Sequence, residues 1–277
     1  MERLTIVSPP SAILTGSITS GSAVVTGLAS TARLQPGQKV TGPGVPMMTL
    51  ISSVDSSSQV TLTNNATTTN ASTTLTSLVE PVFLAEAKLH LKVDFPDDDT
   101  KIASLITSAR QYCETRLRQA FLTQSVALHL DEFPWGGGYL NRQIRRIGPS
   151  VPYWLPSTTT PIELFNPPVQ SVTSVQYYDF SNTLQTVSPS LYEFEQGTPA
   201  RIMPVFGQTW PIPQPRIGAV VITYLVGYGD TGDSVPENIK DAMLLYIGER
   251  YMNREPSGST LESINDALSS SDHGEYA

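Results

Sequence analysis

The sequence predicts an α+β fold: a helical core with an antiparallel β-sheet insertion, plus a separate small all-β module near the N-terminus. Three observations carry this. Apolar residues recur with a helical period over 84–121 and again over 236–253. β-branched residues alternate in short runs through a Ser/Thr-rich stretch, 15–77. Further alternating runs, punctuated by Pro and Gly, fill 124–226. The core is therefore expected to comprise 1–14 and 78–277, interrupted by the module at 15–77.

Residues 1–14 read as a short extended lead stopped by Pro9-Pro10. The module follows as SAVVTGL, QKVTG, TLISSV, QVTLT and TTLTS, each bounded by turn residues such as Gly21, Pro36-Gly37 and Asn64-Asn65. About five or six strands are expected. A disordered linker is the alternative, but linkers rarely space apolar residues this regularly.

A short helix is expected over 84–92, with Leu84, Ala87, Lys88 and Leu91 on one stripe. Phe95-Pro96 breaks it, since the residue before proline is pushed out of the helical region. Asp97, Asp98 and Asp99 then supply a cap and negative charge for a second helix, 98–121. Its apolar face is Ile102, Leu105, Ile106, Ala109, Cys113, Leu117 and Ala120. Arg110, Gln111, Arg116 and Arg118 are expected on its other faces.

Gln124 begins a strand, QSVALHL. A long connection, 132–161, carries Trp135, Tyr139, Tyr153 and Trp154 with a basic knot of Arg142, Arg145 and Arg146. Connections this long are usually functional or disordered. Strands are expected at 162–166, 169–179, 184–187, 192–195, 201–204 and 219–226, as a meander or small barrel-like sheet. The last main helix, 236–253, opens at Pro236, which suits a first turn. A short helix is expected at 259–268, capped by Ser259 with Glu262 three residues on. The tail, 256–277, is otherwise polar.

Composition narrows the function classes. Charged residues make up 15% of the 277, below the roughly 25% usual for soluble domains, and the net charge is −8. A free-standing nucleic-acid binder with a broad basic face is disfavoured, whereas a surface that lets a polyanion slide past is allowed. Met1 to Pro10 holds no apolar core of a secretory leader, so none is expected. No apolar run reaches the ~20 residues of a membrane span, so no membrane partner is expected. The single cysteine, Cys113, excludes an internal disulfide and reads as a small buried hydrophobe.

No catalytic or metal constellation is visible, so no enzyme activity, metal or cofactor is expected. His90, His129 and His273 lack ligand spacing. There is no G-x-S-x-G, Walker A or G-x-G-x-x-G. Gly136-Gly137-Gly138 has no following Lys-Ser/Thr and reads as a loop tip. The Arg142/Arg145/Arg146 knot admits two readings, a solvated or salt-bridged loop and a phosphate contact with DNA. The aromatics beside it suit base stacking or a protein interface.

Several segments in order carry a resemblance: IVSPP, then VEPVFLAEAKLHLKVDFPDDDTKIASLITSARQYCETRLRQAFLTQSVALHLDEFP, PPVQSVTSVQYYD, PARIMP, AVVITYLVGYGD and VPENIKDAMLLYIGERYMNRE. The chain resembles the head–tail connector (adaptor) proteins of tailed bacteriophages, the phage connector superfamily. The likeness covers roughly 1–12 and 79–255. It implies a connector-like core and a structural virion protein assembled in the host bacterial cytoplasm. It also implies a homo-oligomeric ring under the portal protein, a dodecamer by analogy with portals. The ring would extend the DNA channel, let double-stranded DNA pass, and meet the next neck or tail-terminator protein.

Under this resemblance Arg142, Arg145 and Arg146 are candidates for DNA-channel or inter-ring contact. Arg110, Gln111, Arg116, Arg118, Trp135, Tyr139 and Trp154 are candidates for the subunit interface. Leu261, Ile264, Leu268 and Tyr276 are candidates for portal contact. The chain departs from the family pattern in three places. The module at 15–77 splits the lead from the first helix. Phe83 stands where a capping Thr is expected. The chain runs on past the last helix as ESINDALSSSDHGEYA.

Other readings are a tail-completion, neck or decorating virion protein, and a glycan- or surface-binding module mounted on the virion. The segment 15–77 holds no Trp, Tyr or Phe, which argues against sugar stacking. A cell-wall or DNA-packaging enzyme lacks its acid–base pair.

Overall fold

The computed structural model describes residues 3–134, 161–253, 264–266 and 268. The chain forms two units. The first comprises Met1–Ser8 and Gln124–Gly227, the second Pro9–Thr123 and Tyr228–Ala277. The architecture is α+β with antiparallel sheets, and strand outweighs helix. A helical core is not what organises it.

The first unit is built of strands. β1 (Arg3–Ser8) is an edge of a five-stranded sheet, followed in order by β8 (Gln124–Leu130), β14 (Val220–Val226), β10 (Val169–Tyr178) and β11 (Leu184–Thr186). β12 (Tyr192–Glu195), β13 (Ala200–Pro204) and β9 (Ile162–Leu164) form a second, three-stranded sheet. β14 alternates buried and half-buried residues along its whole length, as a central strand with one face packed should. Its Tyr224 is fully buried and its hydroxyl is satisfied twice, accepting from the Phe165 N–H and donating to the Phe165 carbonyl, each at 3.2 Å. Phe133 stacks on Trp210 with ring centroids 4.7 Å apart. The hairpin from β10 to β11 turns on Asp179, whose carboxylate accepts the N–H groups of Ser181 and Thr183.

The second unit joins a closed sheet to helices. Its six strands run in the order β2 (Ser11–Ile18), β7 (Asn70–Leu78), β4 (Lys39–Thr41), β5 (Thr49–Ser56), β6 (Gln59–Leu62), β3 (Val24–Val25). Ser17 and Thr26 then exchange both backbone hydrogen bonds, at 2.7 and 3.1 Å, which ties β2 to the chain leaving β3 and closes the ring of strands. Gly16 lies at that seam. A Cβ there would come within 2.8 Å of Leu28 and 2.9 Å of the Thr26 carbonyl, so only glycine lets the two segments approach. Leu14, Ile18, Val40, Ile51, Val60 and Leu75 are buried in one cluster. The sheet begins at Ser11, ahead of the Thr15 boundary expected from composition, because Ala12 and Leu14 already point inward.

The helices are α1 (Leu84–Leu91), α2 (Asp99–Leu117) and α3 (Glu237–Met252). Phe83 indeed supplies no side-chain cap to α1. The Glu86 carboxylate instead accepts the Phe83 N–H at 3.4 Å. The aspartates before α2 do not cap it by side chain either. Asp98 accepts from the Tyr251 hydroxyl of α3, and Asp99 pairs with Lys88 of α1 at 2.6 Å. α2 stops at Leu117, short of the expected residue 121. Arg118 turns left-handed at φ 52°, and the Glu114 carboxylate takes the Phe121 N–H at 3.1 Å.

Candidate functional site

α2 is the element with the clearest division of faces. Ile102, Ile106, Ala109, Cys113 and Leu117 are buried, following the helical period. Burial pushes the Cys113 thiol up to about 12, with the Glu114 charge adding to it, so it is no nucleophile at neutral pH.

Arg110 corrects the sequence expectation of an outward polar face. It is 6% exposed and lies inside the second unit. Its Nε donates to Glu80 at 2.7 Å and its Nη1 to Glu114 at 2.8 Å. Thr107 donates to the other Glu80 oxygen at 2.8 Å. Burial opposes the Arg110 charge, but Glu80 and Glu114 outweigh it and raise its pKa. Burial lifts the Glu114 carboxyl above its ordinary value, against the pull of Arg110 and of the Phe121 N–H. Glu114 was readable as an i+4 partner. Glu80 was not, because it sits thirty residues upstream of Arg110. The cluster's work is to bind the segment leaving β7 to α2 and to the turn after it.

The other expected α2 residues stay outside. Gln111, Arg116 and Arg118 are exposed, and Arg116 donates to Asn265 at 3.2 Å. Ile264 and Leu268, expected to meet a partner, are instead buried in the core of the second unit. Trp135, Tyr139, Arg142, Arg145, Arg146, Trp154, Leu261 and Tyr276 lie outside the described residues.

A groove of about 160 Å³ opens between the closed sheet and α2, lined by Lys39, Met48, Leu50, Leu78, Ser104 and Thr107 among others. One cation among apolar and hydroxyl groups provides no acid–base pair. Among the described residues no group of three or more His, Cys, Asp or Glu is placed to hold a metal ion, and no helix is long and apolar enough to cross a membrane.

No family model matches the sequence, and no curated protein matches it. The fold does match solved structures. A chain from the neck of an empty gene transfer agent (GTA) particle, computed with C6 symmetry, is 18% identical; the match covers 68% of this chain and 89% of that one, at a TM-score of 0.51. A chain from the virion of a native GTA particle is 19% identical over 67% of this chain and 88% of that one, at 0.50. At these identities the likeness establishes a shared fold.

Proposed function

We propose that this chain is a structural protein of the neck of a tailed, phage-like particle, serving there as a head–tail adaptor. The observation that carries the reading is the fold shared with a neck chain over 89% of that chain's length. The ordered series of connector-like segments along the sequence supports it independently. Copies stand side by side in a closed ring under the portal, since repeated head-to-tail contacts either close or run on as filaments. The ring continues the DNA channel toward the next neck or tail-terminator protein.

The charge suits such a channel. A net charge of −8 leaves DNA mobile rather than bound. Arg142, Arg145 and Arg146 then serve as local phosphate or inter-ring contacts. Arg110 takes no part in the subunit surface, because its hydrogen bonds are spent inside the unit. Portal contact falls to the C-terminal residues other than Ile264 and Leu268, whose side chains are buried. The closed sheet sits at the periphery as an added module.

Negative-stain class averages of the purified protein, with and without portal, test this. Symmetric rings of about 12 subunits, matching the closure expected of such contacts, are the anticipated result. A protein that stays monomeric even with portal present overturns it.

A further inference from the structure

We propose that adjacent copies join through two outward helix faces, the α3 face of one copy seated on the α2 face of the next. The inference rests on the ring reading above and names the contact that builds it. Within one chain α2 and α3 pack against each other, with Tyr112 and Tyr246 stacked at 4.9 Å and the Tyr251 hydroxyl donating to Asp98. Their outward faces therefore point apart and meet only between copies.

The two faces are opposite in charge. α2 contains two carboxylates, Asp99 and Glu114, and both are paired inward, with Lys88 and Arg110. Its exposed cations are Lys101, Arg116 and Arg118. Lys101 lies over the Tyr251 ring of α3 at 4.4 Å and Arg116 donates to Asn265, which leaves Arg118, at the helix end, as the basic group of the outward face. α3 presents Glu237 and Asp241 from its first turns. Lys240 pairs with Glu237, which leaves Asp241 as the main acidic group of that face. An antiparallel seat brings Arg118, at the C-terminal end of α2, against Asp241, at the N-terminal end of α3. Opposed helix dipoles favour the same arrangement. Complementary charge of this kind selects partner and register.

The remainder of the α3 face is apolar and unburied. Met252 is 77% exposed and Leu245 43%; Leu89, on α1, is 81% exposed. α1 lies along α3 at this level, where a Cβ on Gly248 would sit 3.4 Å from His90. The facing part of α2 is short and already satisfied. Ser104 and Ser108 turn their hydroxyls back onto the carbonyls of Thr100 and Ser104, each at 3.0 Å. Apolar side chains can cover such a surface without stranding a donor.

Charge reversal in the full-length protein tests the contact, read by sedimentation velocity over a concentration series and by negative-stain imaging. Arg118→Glu and Asp241→Arg are each expected to raise the concentration for half-assembly at least about tenfold, since like charges then face each other. The double variant, Arg118→Glu with Asp241→Arg, is expected to recover assembly, which a general folding defect would not. Met252→Glu is expected to weaken assembly without rescue by either charge change. Wild-type rings that persist unchanged in both single variants overturn this contact and leave the ring standing. A double variant as weak as the singles overturns it too. Wild-type protein that forms no ring under any condition overturns the ring reading and this contact together.

Discussion

The six-stranded sheet of the second unit closes on itself through Ser17 and Thr26, whereas the five-stranded sheet of the first leaves β1 and β11 at its margins. The difference extends to their charges. In the second unit the most buried ionic contact among the described residues is that of Arg110 with Glu80 and Glu114. In the first unit the pair Arg201–Glu195 lies across neighbouring strands β13 and β12 in the open, at 2.7 Å. Equal distances do not mean equal energies. A buried charge without its partner is left unsolvated, while an exposed one returns to water.

The largest effect is expected from breaking the buried cluster. Arg110→Ala strands two carboxylates and should cost about 3–5 kcal/mol in chemical denaturation. A loss under about 1 kcal/mol would mean that water already reaches Glu80. Next comes the seam of the closed sheet. Gly16→Ala drives a methyl into the Thr26 carbonyl and Leu28 and should cost about 1–3 kcal/mol, seen as a lower melting temperature.

A smaller effect separates burial from pairing at Glu114. Its carboxyl is raised above its ordinary value of 4.5 in the folded protein, so the folded state holds that proton more tightly than the unfolded chain. Its favourable contribution is complete below 4.5 and is lost as pH rises through the folded value. Glu114→Gln removes this titration. The stability of the glutamine variant relative to wild type should therefore climb as pH is raised from about 4 to 7. A flat difference across that range would show that Arg110 cancels the effect of burial, and a falling one that it outweighs it. The smallest effect belongs to the exposed pair. Arg201→Ala should cost about 0.2–1 kcal/mol, and less in high salt.

The sequence made periodic elements legible because each is a local property. QSVALHL alternates and is the strand β8; the apolar spacing of Ile102, Ile106, Ala109 and Cys113 is the buried stripe of α2. Periodicity misassigned Arg110, since a charge at a flank of that stripe reads as solvated unless its partners are known. It also misassigned Asp98 and Asp99. Their residue types favour capping, but Tyr251 and Lys88 offered them tertiary hydrogen bonds. The outward face of α3 went unremarked because an exposed Leu245 or Met252 is indistinguishable by residue type from a buried one.

By itself, then, the chain determined which segments become strands and which become helices. Those properties depend on neighbours a few residues apart. Only the tertiary structure decided that β1 pairs with β8, that β2 meets the chain beyond β3, and that Arg110 finds Glu80. Each of these joins groups far apart in sequence, where pairing is chosen by packing, and no local pattern records the choice.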